Sequence, residues 1–142
     1  MGLVFERACK EFLLLLNTKG RLPFIFTKIG RWWGNDPRNK KQAEIDIIAN
    51  DRNDYIFGEC KWRNSPADIS VLRTLQYRAD LILEHKDKNR AYYSLFSKSG
   101  FTDEVKNEAV KKDNVLIFNV NDLYIEQADY DPLPYNFIAV SH

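Results

Sequence analysis

The 142 residues are 44% hydrophobic, enough for a packed core, and no shift in composition marks a boundary within residues 1–142, so one domain is expected. With 21 Lys and Arg against 20 Asp and Glu, the net charge of +1 excludes a globally basic nucleic-acid binder and confines any such surface to a local patch. Two cysteines and two histidines without ligand-pair spacing exclude a zinc site and Cys-His catalysis; six scattered glycines exclude a Walker-type ATP loop; no apolar run is long enough to span a bilayer, so no membrane role and a cytoplasmic location with reduced thiols are expected.

Val4, Phe5, Ala8, Cys9, Phe12, Leu13 and Leu16 recur at helical spacing and predict an amphipathic helix over residues 3–17, ending near Asn17 and Gly20, with Glu6 beside its apolar stripe. Residues 22–29 read as a strand, with Pro23 near its start and Gly30 just past its end. From Lys28 to Lys41, the cations Lys28, Arg31, Arg38, Lys40 and Lys41 face only Asp36 and accompany Trp32 and Trp33. Such interleaving suits phosphate contacts and base stacking, and a solvated loop whose tryptophans plug the core is the alternative.

Residues 43–49 are rich in β-branched side chains and stop at the turn formers Asn50-Asp51-Arg52-Asn53-Asp54; residues 55–62 then form the second strand of a hairpin. Asn64-Ser65-Pro66-Ala67-Asp68 reads as a helix opening, with Ser65 as N-cap and Pro66 at the first helical position. That helix runs through Ile69, Leu72, Leu75, Ala79 and Ile82 to about His85. Residues 92–97 form a further strand, Thr102 caps a further helix, and residues 115–118 read as a short strand buried on both faces. Residues 122–124 begin a last turn or helix, and residues 131–142, which hold two prolines, are expected to be peripheral. The order predicts an α/β fold, a mixed β-sheet flanked by helices on both sides.

Chemistry concentrates in the hairpin. Glu59 and Lys61 share a face by alternation, and an antiparallel return brings Asp46 opposite them. Asp46 is flanked by Ile45, Ile47 and Ile48, and Glu59 by Phe57 and Cys60, so both carboxylates are expected to be largely buried, which is costly unless they are paired or bind a metal. Two converging carboxylates suit Mg2+ or Mn2+, the Cys60 carbonyl is a further candidate ligand, and Lys61 beside them can hold a phosphate oxygen or orient water. Solvated positions on a half-exposed hairpin are the ordinary alternative. Glu44 shares the face of Asp46, as an accessory acid or as a plain solvent-facing residue.

Glu6, Asp46 and Glu59-Cys60-Lys61 in this order of elements resemble the PD-(D/E)XK nuclease superfamily, whose restriction-endonuclease-like core is a mixed sheet. Gly2-Leu3-Val4-Phe5-Glu6-Arg7 is similar to the opening of archaeal Holliday junction resolvases. More closely, Phe5-Glu6, Arg31-Trp32-Trp33-Gly34, Glu44-Ile45-Asp46, Glu59-Cys60-Lys61-Trp62 and Ser99-Gly100-Phe101 resemble the nuclease-like C-terminal domain of a group of prokaryotic AAA-type ATPases, over residues 2 to about 124. The resemblance implies metal binding by Asp46 and Glu59, help from Glu6, catalysis by Lys61, DNA as substrate, and a chain that is the C-terminal part of a longer ATPase. Gln76 stands where some branches place a glutamine near the site, though a surface role is the alternative. The superfamily's proline before the Asp is absent, since Glu44-Ile45 precede Asp46. The leading expectation is a metal-dependent DNA endonuclease. The alternative is an inactive nuclease-fold domain that docks DNA or an ATPase, and either is compatible with a homodimer through the Trp32-Trp33 region and the apolar tail.

Overall fold

The computed structural model describes residues 2–84 and 90–123. The elements are α1 (Gly2–Thr18), β1 (Lys28–Asp36), β2 (Lys41–Asp51), β3 (Asp54–Lys61), α2 (Ile69–Leu83), β4 (Ala91–Ser97), α3 (Asp103–Lys111) and β5 (Val115–Asn119). All five strands join one sheet in the order β1-β2-β3-β4-β5. Pairing is antiparallel from β1 to β3 and parallel from β3 to β5, with α2 and α3 as the crossovers that parallel neighbours require. The mixed sheet with helices on both faces is the α/β fold that the order of elements predicts.

Each face has its own core. Val71, Leu72, Leu75, Ala79 and Leu83 of α2, with Val105 of α3, pack on Ile45, Phe57 and Leu95. On the other face Phe5, Cys9, Phe12, Leu13 and Leu16 of α1 pack on Ile47, Ile56 and Phe96. Phe12 meets Phe96 and Phe118 edge-on, with ring centroids 6.1 and 5.0 Å away. Truncating it to alanine is expected to cost about 3–5 kcal/mol, through lost burial plus the cavity left behind. α1 ends in a Schellman arrangement: Arg21 N–H donates to Leu16 O at 3.0 Å and Gly20 N–H to Asn17 O at 3.1 Å, with Gly20 at φ 67°, where a Cβ would be strained. Among the described residues no helix is long and apolar enough to cross a membrane.

Four local readings need correction. Residues 22–27 are not a strand, because the Asn17 side chain accepts from Phe26 N–H (2.9 Å) and donates to Phe26 O (3.0 Å), taking the backbone groups that a ladder would use. The strand begins instead at Lys28, so the basic, Trp-bearing stretch is largely β1 rather than a loop. The N-cap of α2 is Asp68, which accepts from Ser70 N–H at 3.1 Å, not Ser65. Ala67 is held in a parallel bridge to Phe101 and cannot also be helical. Finally β5 lies last in the sheet, so although Ile117 packs on the α2-side core and Phe118 on the α1-side core, only Val115 of it is fully buried.

Other expectations hold. Thr102 caps α3, and a helical turn begins at residue 120, where Asn119 and Asp122 exchange side-chain to backbone hydrogen bonds (2.8 and 3.1 Å). His85, Tyr124 and residues 131–142 lie outside the described residues.

Candidate active site

The β2–β3 ladder ends at the pair Ile47–Gly58, one step short of Asp46 and Glu59. Continuing the register would set these two carboxylates face to face. On the other side of β2 the register shifts: Gly30 pairs with Ile48 and Trp32 with Ile45, so Arg31 alone spans Asp46 and Ile47. This is a β-bulge, a device that re-aims side chains and ends pairing. Its effect is visible in the cores, since Ile45 packs on the α2 side and Ile47 on the α1 side, although a regular strand would put them on one face. With the ladder over, Cys60 N–H donates to Asp46 Oδ2 at 2.9 Å, tying one acidic strand to the other.

Glu6 from α1, Glu44 and Asp46 from β2, Glu59 and Lys61 from β3, and Arg78 from α2 line a cleft of about 450 Å³. Glu59 is 9% exposed. Burial and the nearby Asp46 charge push its carboxyl up to about 7, against the pull of Lys61, whose Nζ lies 3.1 Å from Glu59 Oε2. Glu6 is raised as well, by burial first and then by Asp46, while Arg31 opposes the shift. The Arg31 guanidinium lies 3.8 Å from Glu6 and 3.6 Å from Glu44. Carboxylates crowded so that their proton affinity rises are short of positive charge.

Among the described residues, no three His, Cys, Asp or Glu side chains are gathered into a ready-made metal group. Magnesium, however, is commonly held by one or two carboxylates, with waters and substrate phosphates completing its shell. Asp46 and Glu59 with the Cys60 carbonyl are donors of that kind, and the raised proton affinity of Glu59 fits a place for a cation. The Cys60 thiol faces away as alternation requires, packed on the α1-side core, and its contact with Cys9, then burial, raise its pKa well above the ordinary thiol range. It is an inert packing group.

The remaining sequence candidates are scattered. Lys28 pairs with Asn50 at the end of β1 away from the turn that carries Arg38 and Lys40 and from Lys41, which starts β2. Gln76 accepts from Arg73 Nη1 at 3.0 Å and does not line the cleft. The two tryptophans part company: Trp32 packs against the α2-side core, while Trp33 is 59% exposed, with the Arg31 guanidinium 6.0 Å from its ring. The cleft residue that sequence reasoning missed is Arg78, whose Nη1 donates to Glu44 O at 3.0 Å. Its signal was a cation three residues after Leu75 and four before Ile82, within the apolar stripe of α2.

Among solved structures, the protein of unknown function AF1548 superposes on 96% of this chain and 78% of its own, with a TM-score of 0.53 and 15% identity, a likeness of fold alone. The DNA modification-dependent restriction endonuclease AspBHI superposes on 96% of this chain and 34% of its own, with a TM-score of 0.48 and 16% identity. An uncharacterized protein of Methanocaldococcus jannaschii, MJECL04, is 34% identical over 86% of this chain. The chain spans 25% of that relative's length. The sequence profile of DUF234, described as archaeal and bacterial proteins of unknown function, matches residues 1–91, and the chain belongs to that family.

Proposed function

We propose that this chain is a metal-dependent DNA endonuclease module of the PD-(D/E)XK kind that hydrolyses phosphodiester bonds alongside an AAA-type ATPase module. The observation that carries the reading is the convergence of Asp46, Glu59 and Lys61 where the β2–β3 ladder opens, with Glu59 raised to about 7 although Lys61 stands 3.1 Å away. Asp46, Glu59 and the Cys60 carbonyl would hold Mg2+ or Mn2+, which when bound would neutralise phosphate charge and lower the pKa of a water. Lys61 supplies a compact cation for a phosphate oxygen or for orienting the attacking water. Glu6 faces the same cleft, and its raised proton affinity suits it to take a proton from a water there. The ATPase partner is consistent with a relative about four times as long as the matched region, which leaves room for another module.

A second reading, a non-catalytic nuclease-fold domain that docks DNA or the ATPase, is favoured by one observation. Arg31 and Lys61 already neutralise Glu6, Glu44 and Glu59 in part, as they would in a site that no longer takes a cation. Incubation of supercoiled plasmid and four-way junctions with Mg2+ or Mn2+ separates the two. Nicking by wild type that is lost in Lys61→Ala and Asp46→Ala supports the nuclease, and a folded but inert wild type supports docking.

A further inference from the structure

Beside the acid cleft lies a second hollow, of about 310 Å³, with the opposite chemistry. Lys41 at the start of β2 and Arg73 and Arg78 on α2 line it, with Asn39, Thr74 and Tyr77 as neutral hydrogen-bonding groups. Arg78, Gln42 and Ala43 border both hollows, so the two are neighbours along one surface. Among the described residues that line it, Asp36 is the one acid, and it is engaged on both oxygens. Oδ1 accepts from the Tyr77 hydroxyl (2.7 Å) and from the N–H groups of Arg38 (3.0 Å) and Asn39 (3.3 Å), and Oδ2 accepts from Asn39 Nδ2 (2.8 Å). Arg38 lies 5.8 Å over the Tyr77 ring and adds a cation at the rim.

Arg73 donates to Gln76 Oε1 (3.0 Å) and is ion-paired with Glu108 Oε2 (3.3 Å). A guanidinium carries five N–H donors, so these contacts orient it and leave donors for a ligand. In a chain of net charge +1 such a gathering of cations is a local feature, and its hydrogen-bonding groups match an oxyanion rather than a bare surface.

We infer that this hollow seats a substrate-strand phosphate flanking the one in the acid cleft, the strand passing Arg78 towards Lys41 and Arg73 between α2 and the β1–β2 turn. The identity of the strand as DNA rests on the nuclease reading, whereas the phosphate seat rests on the cations themselves. Phosphate contacts of this kind fix register on the strand without reading its sequence. Arg73 and Arg78 come from α2 and lie outside the basic stretch visible in the sequence.

The test is equilibrium binding of a fluorescent oligonucleotide by anisotropy, with Ca2+ replacing Mg2+, between about 50 and about 200 mM salt. Lys41→Gln, at an exposed position that leaves the core untouched, is expected to weaken binding about 3- to 10-fold and to lower the slope of log affinity against log salt by about one. Arg73→Gln should do the same, provided its melting temperature shows that the fold has survived the loss of Glu108. Wild-type affinity and slope in both variants, or polyglutamate of equal charge binding wild type as tightly as DNA, would overturn the proposal. Binding needs no cleavage, so the two readings fail separately. A wild type that shows the Lys41-dependent slope but cuts nothing keeps the phosphate seat and removes the nuclease, while cleavage with unchanged slopes does the reverse.

Discussion

Asp36 and Glu59 are both buried carboxylates, 3% and 9% exposed, and the protein surrounds them in opposite ways. Burial alone would raise the pKa of Asp36, but donors from Tyr77, Asn39 and two backbone N–H groups outweigh it and hold the group at about 2. Glu59 has one cation, Lys61, and a second carboxylate, Asp46, at its side, and it rises to about 7. What separates the acid with the lowered pKa from the one with the raised pKa is therefore the supply of donors, not depth. Asp36 fastens the β1–β2 turn to α2 through Tyr77 and is complete as it stands. Glu59 and Asp46 lie beside a bulge and the end of a ladder, where Asp46 accepts from the Cys60 N–H and Glu59 has Lys61 set against the charge of Asp46.

The largest expected effect lies at the incomplete pair. Asp46→Ala or Glu59→Gln should reduce magnesium-dependent nicking by about 100-fold or more, as removal of a charge-stabilising group at a reacting centre does. Glu59→Gln should leave the melting temperature at pH 8 unchanged or higher, because it removes a charge the fold does not satisfy. A large loss of stability at that pH would erase the distinction between the two acids. Asp36→Ala should show the converse pattern: a melting temperature lower by several degrees as the turn loses its anchor, with the chemistry of the acid cleft intact.

A third contrast is in pH. Glu59, raised in the folded protein, contributes stability that is fully present below its ordinary pKa of 4.5 and is lost as pH rises through about 7, so metal-free protein should weaken over that window and Glu59→Gln should flatten the profile. Asp36, lowered in the folded protein, contributes stability that is present above its ordinary 3.8 and is lost as pH falls through about 2. Chemical denaturation at stepped pH should resolve the two windows, and a single common transition would contradict the assignment. The smallest effect is expected from Tyr77→Phe, which removes one of the four hydrogen bonds to Asp36 and should lower the melting temperature less than Asp36→Ala does.

Most of the scaffold was legible because its signals are local. The apolar spacing of α1, the Thr102 cap and the period-two pattern that sets Asp46 against Glu59 depend on residues close in the chain. The unreadable parts depend on distant partners. Asn17 takes the backbone groups of Phe26, so residues 22–27 are no strand despite their apolar composition. Ala67 bridges to Phe101 and pushes the start of α2 past Ser65. The bulge at Asp46 exists only because β1 shifts register beside it, and nothing within residues 43–49 announces it. Asp36 read as one acid in a basic stretch, since its anchor Tyr77 is 41 residues away. Arg78 and Arg73 look like surface cations until α2 is laid beside the opened hairpin.

The most direct test of an acid pair that lacks positive charge is calorimetric titration of Mn2+ into wild type and Asp46→Ala at pH 6 and pH 8. With Glu59 near 7, metal must displace its proton, so wild type should bind about tenfold more tightly at pH 8 than at pH 6, with proton release, and Asp46→Ala should not bind. Binding that ignores both pH and Asp46, or none in wild type at either pH, would contradict it.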